Sequence, residues 1–434
     1  MGSLPIRERE TSQELPFGHS MLKLFPLDPN FKNLNHGSFG TCPNVVVEER
    51  QRFQAELDST PDTFIRYNIP KYLDSSRAAA AEYLNVPVDE VVYVKNATTG
   101  VNLVLRNLVY KPGDIIVYFS CVYGACEKTI AYLAETTPLK ARKVMLDLPC
   151  AHEDILQRFK DVVRTAKQDG LNVKVALFDT IVSQPGVRFP FEKMVEICRE
   201  ESILSCVDGA HGVGHIPLDL GKLDADFFVS NCHKWLFTPR GCAVFHVPVR
   251  NQHLIRSTIP TSWGFQPIPN ILSDCTRFPQ VLPGDNAKPP FAALFEMVAT
   301  NDDCPYLCTP AALRFRRDVC GGEARIMEYC EALAFDAGNL VARILGTQVL
   351  CEPGPEAQTI RGASQLRRCA LVNVRLPIGV DHGAAALGGM QRSYPVVRAG
   401  EVSVLARWIE KQLTYEHNTI VPVFPLGGVV VGFG

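Results

Sequence analysis

The stretch DADFFVSNCHKWLFTPRG (224–241) joins an apolar run of strand length to a polar cluster that holds Asn231, His233 and Lys234. A second apolar run, GCAVFHV (241–247), follows at once. Lysine is ordinarily a solvated surface charge. Here one stands where a strand with two apolar faces ends, which marks a sheet covered on both sides and a lysine at its rim.

The same pattern recurs on either side. DIIVYFS (114–120), VKVALFDTI (173–181) and ILSCVDGA (203–210) are β-branched runs that end at polar or glycine residues. Helical patterns such as ACEKTIAYLAE (125–135) and FEKMVEICREE (191–201) lie between them. Strands alternating with helices imply βαβ units and a mostly parallel sheet, an α/β fold. Upstream, residues 41–59 read as a helix with Asn44 as its cap, and PKYLDSSRAAAAEYLNV (70–86) as an alanine-rich second helix. Downstream, a loop-like tract over 270–290 closes the large domain. Strongly helical sequence, the strand RCALVNVRLP (368–377) and the helix SVLARWIEKQLTYEH (403–417) then form a smaller α+β domain. The expected organisation is an arm over 1–30, a large domain over 31–290 and a small one over 291–434.

Composition narrows the functional classes. Hydrophobic residues are 46%, charged residues 21% and the net charge is -2, a globular balance without a basic block for nucleic acid. Runs such as GGVVVGFG fall far short of a membrane span, so no membrane partner is expected. The 15 cysteines are odd in number and lack CxxC pairs, which fits reduced thiols in the cytoplasm rather than a disulfide framework or zinc. His211 and His215 stand four apart, but the glycines at 209, 212 and 214 break the helix that a metal pair needs, so no metal is expected. Cys121 and Cys126 read as small apolar residues rather than sulfur carriers.

In open α/β sheets ligands gather beyond the carboxyl ends of the strands. Asp208 and Lys234 both stand there, 26 residues apart, and NATTG (96–100) begins a helix after another strand. A helix start suits a phosphate, although Asn96 also makes an ordinary cap. An acid, a lysine and a phosphate site together fit pyridoxal 5′-phosphate. The lysine bonds to its aldehyde, and the acid holds the ring nitrogen protonated. Such a lysine must be neutral to act as a nucleophile, which a desolvated site favours.

The ordered segments LNHGSFG (34–40), NATTGVN (96–102), VYGAC (122–126), CVDGAHGVG (206–214), SNCHKWLFTPRG (230–241) and ATNDDCPY (299–306) resemble the class-V, cysteine desulfurase-like branch of fold-type I pyridoxal-phosphate enzymes. Within that branch the chain is similar to fungal hercynylcysteine sulfoxide lyases of ergothioneine biosynthesis and to isopenicillin N epimerase-like proteins. The resemblance implies a fold-type I transferase fold with a seven-stranded sheet. It implies that Lys234 carries the cofactor and then moves protons, that Asp208 pairs with the ring nitrogen and that His211 reaches the phenolic oxygen. Tyr123 would stack on the ring, and Thr98, Thr99, Asn231 and His233 would hold the phosphate. Thr300 would add a phosphate contact from a neighbouring subunit, which implies a homodimer with the active site at its interface. Asn35, His36 and Gly37 would border the substrate.

The implied reaction is carbon–sulfur β-elimination on an S-substituted cysteine or its sulfoxide, releasing pyruvate and ammonia. Transamination and epimerisation share its first deprotonation, and a weakly active pyridoxal-phosphate-binding paralogue is the remaining reading. The family pattern also calls for a late arginine that grips the substrate carboxylate. No arginine follows Arg407, and Arg66 is the candidate in its place.

Overall fold

The computed structural model describes residues 16–267, 288–381, 396–426 and 429–433. The first half of the arm and most of the 270–290 tract lie outside the described residues. The apolar runs form one seven-stranded sheet: β1 (Val91–Val94), β2 (Asp114–Phe119), β3 (Lys140–Val144), β4 (Asn172–Asp179), β5 (Leu204–Asp208), β6 (Phe227–Asn231) and β7 (Ala243–His246). Their spatial order is β1-β7-β6-β5-β4-β2-β3. All ladders are parallel except the two made by β7. The exception follows from chain length. Successive parallel strands need a crossover of a dozen residues or more, whereas β6 returns through a short excursion that starts at Asn231 and ends on its registered partner Ala243. That excursion holds Lys234.

Among the helices that cover the sheet are α1 (Asn44–Ser59), α2 (Ile69–Leu84), α3 (Ala97–Asn107), α4 (Gly124–Thr136), α5 (His152–Gln168) and α6 (Phe191–Glu200). Alternate residues of a strand enter different cores. Ile115, Val117 and Phe119 pack with Phe53, Phe159 and Met194 of α1, α5 and α6. Ile116 and Tyr118 pack with Val101, Val104, Ile130 and Leu133 of α3 and α4. Burial on both faces explains why these strands read as continuous apolar runs. One local expectation is corrected: Pro43, not Asn44, is the cap position of α1, and the Asn44 amide donates instead to the Lys23 carbonyl at 3.1 Å.

Beyond the sheet lie α7 (Thr309–Asp318), α8 (Glu323–Leu345) and α9 (Val402–His417). They accompany a small antiparallel sheet of β8 (Val372–Arg375), β9 (Val423–Pro425) and β10 (Val429–Phe433), ordered β8-β10-β9. The apolar run VVVGF thus becomes the central strand of this sheet, paired on both edges. Among the described residues no helix is long and apolar enough to cross a membrane.

Candidate active site

Three strands deliver polar side chains to one rim of the sheet. β4 ends on Asp179, β5 on Asp208 and β6 on Asn231. Register pairs Asp179 with Asp208, so two buried carboxylate residues stand side by side. Beyond β6 the chain makes a four-residue helical turn, Cys232–Trp235, that presents Lys234. Beyond β5 a glycine-rich loop presents His211, whose Nε2 lies 2.9 Å from Lys234 Nζ.

The histidine is held from behind. The Trp235 indole N–H donates to His211 Nδ1 at 3.2 Å. The ring of His215 stacks on Trp235 with centroids 4.0 Å apart. His215 Nδ1 donates to the His211 carbonyl at 2.8 Å, and its Nε2 accepts from the Ala370 N–H at 2.7 Å. Both nitrogens of His215 are therefore committed to the protein.

Burial dominates the electrostatics. It pushes the Asp208 carboxyl up, against the Ala210 N–H bond and the Lys234 charge. It pushes Asp179 well above the carboxylate range, and the neighbouring Asp208 adds to this. It lowers Lys234 to about 8, with Asp208 and Asp179 opposing the fall. His211 falls well below its ordinary value through burial and then through Lys234, and burial takes His215 to about 3. A lysine lowered this far is still mostly charged at neutrality but is neutral far more often than an ordinary lysine, and the neutral form is what a nucleophilic amine requires.

Asp208 has modest partners for a buried acid: the Ala210 N–H at 3.0 Å and the Cys126 thiol at 3.6 Å. A protonated ring nitrogen would complete its coordination. Cys126 lies in the first turn of α4, so the start of that helix is beside Asp208. Tyr123 stands at its cap position with its side chain 49% exposed, open to a stacked ring. Burial raises the thiols of Cys121 and Cys126, which disfavours the thiolate that sulfur transfer needs.

At the start of α3, the Asn96 side chain accepts from the Thr99 N–H at 2.8 Å and from the Thr99 hydroxyl at 3.0 Å. Asn231 accepts from the Ala97 N–H at 2.8 Å. Asn231 thus joins the end of β6 to the start of α3, bringing the lysine turn and the Thr98–Thr99 segment together. His233 donates from Nδ1 to the Cys242 carbonyl at 3.0 Å, which leaves Nε2 for a ligand.

Asn35, His36 and Gly37 are also brought to the lysine turn. His36 Nε2 donates to the Lys234 carbonyl at 2.6 Å. A Cβ on Gly37 would meet the Trp235 ring at 2.8 Å. Gly40, at φ +64°, passes so close to the turn that a Cβ would sit 1.7 Å from the His233 carbonyl oxygen. The remaining two predicted residues are not brought in by described contacts. Thr300 is exposed on a loop. Arg66 is exposed and pairs with Asp62 at 3.2 Å, on a turn packed against α1 and α2. No described contact joins it to the lysine turn.

Three residues escaped the sequence reading. Asp179 closes VKVALF just as Asp208 closes its own run, so the signal was present. Trp235 adjoins Lys234 but bears no mark of its role. Arg316 of α7 is fully buried, and it donates to the Trp235 carbonyl at 2.6 Å, to the Gly214 carbonyl at 2.9 Å and to Glu323 at 2.5 Å. Nothing in the helical pattern of α7 distinguishes it.

The segment that carries this lysine, the buried acids and the helix start, residues 41–262, matches the family model Aminotransferase class-V. The chain belongs to the class-V aminotransferase family. It is 41% identical, over 96% of its length and 91% of the relative's, to the L-cysteine desulfhydrase-like protein lolT1 of Epichloe uncinata. It is 28% identical to the hercynylcysteine sulfoxide lyase of Schizosaccharomyces pombe, over 83% of this chain and 84% of that one. The fold is shared with the cystine C–S lyase C-DES, solved with its product cysteine persulfide, at a TM-score of 0.68 and 18% identity, covering 93% of each chain.

Proposed function

We propose that the protein is a pyridoxal-phosphate-dependent carbon–sulfur β-lyase acting on an S-substituted cysteine or its sulfoxide, of the hercynylcysteine sulfoxide type, and releasing pyruvate and ammonia. The observation that carries the cofactor reading is the Lys234 amine, lowered to about 8 and held 2.9 Å from a buried imidazole beside two buried acids. The lyase outcome is supported by the desulfhydrase and sulfoxide lyase relatives.

Bound pyridoxal phosphate supplies an electron sink for the bond broken at the substrate Cα. Lys234 would hold the cofactor through its neutral amine, and the same amine is the group placed to take the Cα proton. Asp208 would hold a proton at the ring nitrogen, and His211 would offer Nε2 to the phenolic oxygen. The exposed Tyr123 ring would stack on the cofactor. Thr98, Thr99 and His233 hold the phosphate, with Asn231 fixing the helix start that presents them. Asn35, His36 and Gly37 form the substrate side of the lysine turn. The active form is a homodimer to which Thr300 contributes across the interface. All 14 cysteines among the described residues are free, which suits a reducing compartment such as the cytoplasm.

The test is an absorbance scan of the purified protein, followed by addition of S-substituted cysteines and their sulfoxides. The expected result is a Schiff-base band that disappears in Lys234→Ala, with pyruvate formed from at least one conjugate. Absence of the band in the parent protein overturns the cofactor assignment. Conversion of the cofactor to its amine form by an amino-acid donor, without pyruvate, makes the protein a transaminase instead. Inversion at Cα without elimination makes it an epimerase. A band with no turnover of any conjugate leaves a cofactor-binding paralogue.

A further inference from the structure

A neutral imidazole carries one proton on two nitrogens, so a buried histidine can offer a donor or an acceptor at the same place. Which it offers is set by the bond at the other nitrogen. At His211 that other bond is defined. The Trp235 indole nitrogen is a donor only, and it points at His211 Nδ1 from 3.2 Å. Nδ1 must then carry the lone pair, and the single proton sits on Nε2, the nitrogen 2.9 Å from Lys234 Nζ. An N–H facing an amine nitrogen needs a lone pair there, which only the neutral amine has.

We propose that Trp235 is a positioning residue that fixes the tautomer of His211, so that the imidazole presents an N–H rather than a lone pair to Lys234 and to the cofactor oxygen that follows it into the site. This rests on the cofactor reading above, not on which reaction follows. The tryptophan is itself held in place. His215 stacks on it at 4.0 Å and is anchored at both nitrogens, by the His211 carbonyl and by the Ala370 N–H. The Trp235 carbonyl accepts from buried Arg316 at 2.6 Å. The indole therefore has little freedom to turn its N–H elsewhere. An acceptor such as a phenolate oxygen meets a donor already in place and costs His211 no change of tautomer.

The test uses the full chain with histidine nitrogens labelled by 15N, at a pH above the Lys234 value of about 8 so that the amine can accept, with and without pyridoxal phosphate and without substrate. His211 is assigned by the signal lost in His211→Gln. The expected wild-type spectrum shows a protonated Nε2 and a bare Nδ1, and Trp235→Phe, which keeps an aromatic ring but loses the N–H, shows averaging of the two tautomers. A protonated Nδ1 in the wild type overturns the proposal without need of any variant. So does an unchanged His211 signal in Trp235→Phe. The second readout is the dissociation constant for pyridoxal phosphate. Trp235→Phe is expected to raise it about fivefold, the size of one neutral hydrogen bond. The rise should fall below about twofold in a His211→Gln background, where no tautomer remains to be fixed. An equal loss in both backgrounds makes Trp235 a packing residue and overturns the assignment. If no cofactor binds the parent protein while its His211 tautomer is as expected, the cofactor reading fails and the tautomer lock stands.

Discussion

Lys234 gives up hydration beside two acids that burial has itself made reluctant to ionise. Its lowering from 10.5 to about 8 has a thermodynamic sign. Between those values the unfolded chain binds more protons than the folded one, so stability rises with pH across that window. The full penalty is present below about 8. Lys234→Met should therefore stabilise the cofactor-free protein at neutral pH, by up to about 3 kcal/mol. The gain should shrink as the pH climbs toward the ordinary lysine range. Urea unfolding of both proteins across the alkaline range checks this. A gain that does not shrink would mean that the lysine titrates normally. The lysine and Asp208 were legible in sequence because a charge that closes an apolar run is rare and costly. Asp179 bears the same mark. Its place beside Asp208 depends on the register between β4 and β5, which neither strand reveals alone.

At the scale of elements, the lysine turn is fixed by a segment far from it in sequence. The His36–Phe39 turn lies on it so closely that only glycine fits at position 40. With φ at +64° and the His233 carbonyl in the place of a Cβ, Gly40→Ala is both strained and obstructed. It should cost more than about 3 kcal/mol in chemical denaturation, or lift the segment off the turn and weaken cofactor retention. A variant as stable and as cofactor-rich as the parent would refute this account of the contact. The motif LNHGSFG drew attention through resemblance alone, since its physical reason is a distant backbone carbonyl. The helices and strands of the large sheet were legible because their apolar periods agree with their two-faced burial. VVVGF was not, since a short apolar tail becomes a strand only when neighbours on both edges accept it.

For the whole molecule, Arg316 is the largest side chain with almost no exposure, and it joins three regions. Its guanidinium bonds the lysine turn, the glycine loop after β5 and Glu323 at the start of α8. Glu323 in turn accepts from Tyr83 of α2 at 2.7 Å. Removing one partner of such a buried pair is expensive, because the rest of the set is left without compensation. Arg316→Leu should destabilise by about 3–5 kcal/mol in thermal or urea unfolding. A loss below about 1 kcal/mol would mean that water or a neighbour replaces the guanidinium. Sequence patterning predicts which face of α7 is buried, but not that a charge on it reaches backbone carbonyls near residues a hundred positions earlier.

The position of Arg316 also limits how the active site can open. Separating α7 from the lysine turn would strip a buried cation of its acceptors before solvent could reach it. The bond from Ala370 to His215 separately ties the chain ahead of β8 to the glycine loop. The lysine turn, the glycine loop after β5 and the start of α8 are thus tied into one unit close to the reacting amine. Substrate meets a floor anchored from behind by a buried guanidinium.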